Sequence, residues 1–104
     1  MPKNTITLQQ AQQWAAKWRL NPANTVKAHL SPEIDITQLL AEEGVANVRA
    51  YIGIDENGTN KLMLVAVNAD GNDMINEDLG QYIYDFTIPC PSVCDVDSPL
   101  YTLK

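Results

Sequence analysis

Val48-Arg49-Ala50-Tyr51-Ile52-Gly53-Ile54, then Asp55-Glu56-Asn57-Gly58-Thr59-Asn60, then Lys61-Leu62-Met63-Leu64-Val65-Ala66-Val67: this stretch decides the fold. Two strand-like apolar runs flank a polar segment centred on Asn-Gly, the strongest short-range signal for a β-hairpin. The expected connection is a two-residue type I′ turn at Asn57-Gly58, because both positions of that turn need positive φ. Such a turn sets Ile54 opposite Lys61, Ile52 opposite Met63, Ala50 opposite Val65 and Val48 opposite Val67. The last three pairs make an apolar face expected to receive the helices. The other face pairs Gly53 with Leu62, Tyr51 with Leu64 and Arg49 with Ala66. It is too apolar for a fully wet sheet surface, so Arg49, Tyr51, Leu62 and Leu64 form a candidate interface, covered by another segment or by a second subunit. A slip of one residue would exchange the two faces.

Outward from the hairpin, Thr7 with Gln10 fits a capping box, and Leu8, Ala11, Ala15 and Trp18 follow helical spacing as far as Arg19. Asn21-Pro22 stops that helix, and Trp14 and Trp18 are expected to pin it to a sheet. Thr25 to Ser31 alternates and reads as a short strand, with His29 pointing away from Val26, Ala28 and Leu30. A second helix follows, capped by Asp35 or Thr37, with Ile36, Leu39 and Leu40 as its stripe and Gly44 after its end. If the strands around Val26 and Val48 neighbour each other, that helix makes them parallel. On the C-terminal side, Ala69-Asp70-Gly71-Asn72-Asp73 reads as a polar loop, and Tyr82 to Ile88 alternates as a last strand. The expectation is an α+β fold: roughly four strands in an antiparallel or mixed sheet, with two helices packed on one face. All 104 residues are expected to form a single globular domain.

Charge narrows the partners. Residues 1–49 carry five basic and four acidic side chains, a net of +1; residues 50–104 carry two basic and nine acidic, a net of −7. Nucleic acid is recognised by Lys and Arg that displace its counterions, so no nucleic-acid partner is expected. An anionic membrane is disfavoured likewise, and no run reaches the length of a membrane span. A homodimer or a basic protein partner fits. No signal-like stretch follows Met1-Pro2-Lys3, so the expected location is cytoplasmic, where two cysteines are most often free thiols.

The constellations that could carry chemistry are thin. Asp70 and Asp73, with Glu77 or Asp78, could bind a cation loosely, but neither Gly58 nor Gly71 aligns an EF-hand loop, and Asp-Gly-Asn-Asp is first a turn signal. Cys90 and Cys94 have three residues between them, and with the lone histidine, His29, a four-ligand zinc site would still need carboxylates or a second copy of the chain. Their spacing also departs from the usual redox dithiol, while a disulfide across the loop is geometrically open. No nucleophile elbow, phosphate loop, dinucleotide fingerprint or zincin motif occurs. No cofactor is expected.

Val48-Arg49-Ala50-Tyr51-Ile52-Gly53, Asp70-Gly71-Asn72-Asp73, Tyr84-Asp85-Phe86 and Cys90-Pro91-Ser92-Val93-Cys94 together resemble a family of small uncharacterised bacterial proteins of the Bacteroidetes type. The resemblance spans roughly residues 25–100 and brings no known activity. It implies that the hairpin and the Cys-Pro tail belong together, which favours a structural role for the tail. The expected function is that of a non-enzymatic interaction or binding module. The alternative is a small metal- or thiol-dependent enzyme using the Cys90/Cys94 tail or the acidic 70–78 loop.

Overall fold

The structure, a computed structural model, describes residues 2–104. In chain order its elements are α1 (Leu8–Arg19), β1 (Ala28–Leu30), α2 (Glu33–Leu40), β2 (Asn47–Ile54), β3 (Asn60–Val67), β4 (Asp73–Met74), a 3-10 turn (Glu77–Leu79), β5 (Ile88–Cys90) and α3 (Pro99–Thr102). The class is α+β. Its described strands divide into a three-stranded sheet, β2-β3-β4, and a two-stranded ribbon, β1-β5. β1 therefore takes β5 as its neighbour, and the parallel arrangement with β2 does not arise. The chain folds as two compact units: His29–Pro89, and the chain up to Ala28 together with Cys90–Lys104.

In the unit of the flanking segments, the capping box is present as read: Thr7 Oγ1 accepts from Gln10 N–H, and the Gln10 side chain accepts from Thr7 N–H. α1 packs with α3, where Arg19 donates to the carbonyls of Tyr101 and Leu100 and Gln12 donates to that of Pro99. The tryptophans do not play the buried part expected of them. Both are more than half exposed, and Trp18 Nε1 instead donates to the Val26 carbonyl at 2.8 Å, holding the returning chain.

In the His29–Pro89 unit the hairpin exists, but its register is one residue away from the one expected. Ile54 pairs with Asn60, Ile52 with Leu62, Tyr51 with Met63, Ala50 with Leu64, Arg49 with Val65 and Val48 with Ala66. The turn explains the shift. A type I′ turn needs positive φ at both Asn57 and Gly58, yet only Gly58 has it, at 80°. Asp55 accepts the N–H groups of Asn57 and Thr59 on Oδ1, both at 2.9 Å, and Gly58 N–H bonds the Asp55 carbonyl. The result is a three-residue loop closed by the Asp55–Thr59 pair, with glycine in the left-handed position.

The same device closes β3 to β4. Asn68 Oδ1 accepts from Asp70 and Asn72 N–H, Gly71 N–H bonds the Asn68 carbonyl, and Gly71 has φ 84°. Asp70 thus lies in a hairpin turn, and Asp73 begins a strand rather than ending a loop.

The slip turns Leu64 and Ala66 toward α2, while Val65 and Val67 are buried on the opposite face. Leu64 and Ala66 pack with Leu39 of α2 and Met74 of β4, flanked by Val45, Leu62 and Tyr84. Leu39 is 1% exposed. Leu62 and Leu64, expected to share an outer face with Arg49 and Tyr51, lie on the opposite face from them.

Candidate functional site

The three-stranded sheet has two sides that differ in how their backbone groups are used. Beyond the two residues of β4, the outer side of β3 is closed by residues 82–88, the segment read from its alternation as a strand. That segment forms one bridge, Leu64 with Tyr84, and is otherwise held by side chains. Thr87, fully buried, donates its hydroxyl to the Leu62 carbonyl at 2.7 Å and accepts Leu62 N–H at 3.1 Å, doing the work of a ladder residue. Two buried carboxylates fix the rest of the segment. Asp35 of α2 accepts Phe86 N–H, and Glu42 Oε2 accepts both Tyr82 N–H and the Tyr84 hydroxyl, the latter at 2.6 Å. Burial, then the hydrogen bond to Glu42, pushes the Tyr84 phenol up to about 12.

The outer side of β2 is different. Antiparallel strands alternate hydrogen-bonded and non-bonded pairs. Counting from the bonded Asp55–Thr59 pair, the odd-numbered residues Gly53, Tyr51, Arg49 and Asn47 direct their N–H and C=O to β3. Val48, Ala50, Ile52 and Ile54 then direct theirs outward. Among the described residues nothing pairs with them, because β2 is the end strand of its sheet. The side chains of these same four residues form one apolar stripe on the face that α2 covers only over β3; Ile52 is 83% exposed and Ile54 71%.

On the opposite face, Asp73 of β4 accepts from Arg49 and from the Tyr51 hydroxyl, tying the outer strands together across β3. The Tyr51 hydrogen bond first, and Arg49 second, hold the Asp73 carboxyl below its usual range, while the same bond to Asp73 raises the Tyr51 phenol. Asp73 is thereby held within this cluster. Asp73, Ile75, Asn76, Glu77, Asp78 and Gln81 line an open acidic depression of about 500 Å³. Among the described residues no three His, Cys, Asp or Glu side chains converge as metal ligands would.

The remaining candidates are not part of this sheet's strands. Cys90 and Cys94 are joined in a disulfide, not free thiols, which closes the Cys-Pro turn structurally. His29 sits on β1 with Nδ1 buried and, among the described residues, unpartnered; burial, then the charge of Lys61, lowers its pKa. Of the four interface candidates, Arg49 and Tyr51 are bound to Asp73 and Leu64 is in the core. The residues that sequence reasoning missed are Val48, Ala50 and Ile52, expected beneath the helices, together with Ile54; they share the face that α2 occupies, but α2 reaches only β3. The signal for the right register was Asp55: Asx first and Gly fourth recurs in Asn68-Ala69-Asp70-Gly71.

Comparison with known protein families, with curated proteins and with solved structures finds no match for this chain. No helix of the described residues is long and apolar enough to cross a membrane.

Proposed function

We propose that this protein is a non-enzymatic interaction module that binds by accepting a strand from another polypeptide along the outer edge of β2. The observation that carries the reading is the coincidence, on Val48, Ala50, Ile52 and Ile54, of outward-directed backbone groups with exposed side chains. Strand addition takes both at once: the ladder supplies affinity and alternate side chains supply selectivity. An open, flat apolar edge is also an aggregation hazard that proteins usually block with a bulge, proline or charge. β2 carries none of these facing outward, since its one charged residue, Arg49, is engaged by Asp73.

A proline scan tests this. Proline is tolerated on an end strand where the lost N–H faces solvent, but not where it breaks the ladder. Ala50→Pro is expected to keep the fold and abolish strand addition, read as loss of partner-induced amide shifts in NMR. A folded Ala50→Pro variant that binds as well as the parent sinks the reading. The family resemblance remains part of this reading, consistent with the tail acting structurally. The cytoplasmic location expected from the sequence sits uneasily with the Cys90–Cys94 bridge, which suits an oxidising compartment.

A further inference from the structure

The edge does not suit every strand equally, and its charges discriminate among occupants. The His29–Pro89 unit carries two basic and eleven acidic side chains, a net of −9, whereas the flanking segments carry five basic and two acidic, a net of +3. Along β2 itself no charge is free. Beyond its two ends the position reverses: Glu43 lies in the turn between α2 and β2, four residues before Asn47, and Glu56 in the hairpin loop, two residues after Ile54, both exposed. Neither makes a side-chain hydrogen bond or ion pair among the described residues, whereas Glu42 and Asp55 are used internally. At about 3.3 Å per residue, eight residues put these ends roughly 26 Å apart, well beyond the screening length of about 8 Å at physiological salt. Each end therefore reads the partner's charge separately.

A second copy of this chain is a poor occupant. Antiparallel pairing of β2 with β2 of another copy brings the Glu43 end of each against the Glu56 end of the other. Parallel pairing brings Glu43 to Glu43 and Glu56 to Glu56. Either way, carboxylates meet at both ends of the ladder, and like charges juxtaposed across an interface select against a partner. Resting on the edge-strand reading above, we infer that the occupant is an extended apolar segment of another protein, about eight residues long, with Lys or Arg at both ends. The apolar alternate positions continue the Val48, Ala50, Ile52 and Ile54 stripe, and the basic ends meet Glu43 and Glu56.

The full chain can be titrated, with amide shifts as readout, against two peptides of alternating Val and Thr. One carries two Lys at each end and the other two Glu. The Lys-ended peptide is expected to bind at least tenfold more tightly, to shift the amides of Ala50 and Ile52, and to lose most of its advantage at about 1 M salt, where screening reaches about 3 Å. A double variant, Glu43→Lys with Glu56→Lys, is expected to reverse the preference. Equal binding of both peptides overturns the charge inference but leaves the edge reading standing. So does a dimer of the chain itself, seen by light scattering and dispersed by Ile52→Lys. Failure of both peptides to shift any β2 amide, with the chain monomeric, overturns the edge reading and the inference together.

Discussion

The two sides of the β2-β3-β4 sheet present the same problem, a row of backbone donors and acceptors, and answer it in opposite ways. On the β3 side, beyond β4, the row is closed by one bridge at Tyr84, by the Thr87 hydroxyl and by the buried Asp35 and Glu42 carboxylates that hold the closing segment. On the β2 side, four residues leave the row open to water. A chain that commits two buried carboxylates and a fully buried threonine to one side can close a sheet where closure is needed. On the reading proposed above, the open side is a surface kept available.

The largest expected effect separates inward from outward positions on β2. Tyr51→Pro removes an N–H that bonds β3, along with the hydroxyl that bonds Asp73, and should destabilise the protein by about 3 kcal/mol in denaturant unfolding, while Ala50→Pro should cost far less. If the two cost the same, the register is not the one described. Next is Thr87→Val, nearly isosteric but without the hydroxyl. It strands the N–H and C=O of Leu62 in a buried place, and a loss of about 2–3 kcal/mol is expected, with no effect on β2.

Smaller still is the contribution of Tyr84. Its folded-state value of about 12 lies above the ordinary 10.0, so the folded state holds the proton more tightly. The stabilisation is fully present below about pH 10 and is lost as pH rises through about 12. Tyr84→Phe should lower stability by about 1 kcal/mol at pH 7 and flatten the alkaline limb of the stability profile. An unchanged limb would mean that Glu42 and Tyr84 do not bond in solution. The smallest effect on stability belongs to Ile52→Lys. At an exposed site it should change unfolding by within about 0.5 kcal/mol, yet it should abolish strand addition measured by calorimetry.

The same contrast decides what could be read from the sequence. α1 was legible to the residue because its start is a local device, Thr7 with Gln10. The hairpin was legible as a hairpin because its signals are also local. Its register was not, because Asn-Gly alone signals a two-residue turn and the Asp55 side chain converts it into a three-residue loop. That one residue brought Leu64 and Ala66, rather than Val65 and Val67, onto the face that meets α2, while Ile52 and Ile54 stay exposed because α2 reaches only β3. The closing segment was misread for a different reason. Tyr82 to Ile88 alternates like a strand, but its partners, Asp35 and Glu42, are remote in sequence, and nothing local announces that carboxylates replace a ladder. Trp14 and Trp18 belong to a residue type that usually packs against a sheet, and nothing local in the sequence marks their exposure.

Residue-resolved hydrogen exchange on the dilute, isolated chain tests the contrast most directly. Amides bonded inward or closed by the strap, those of Tyr51, Gly53, Leu62 and Leu64, are expected to be protected to near the global unfolding free energy. Those of Ala50, Ile52 and Ile54 are expected to exchange almost as fast as in an unstructured peptide. Protection of Ala50 and Ile52 equal to that of Tyr51 and Gly53 would contradict the account, because the edge of β2 would then already be occupied.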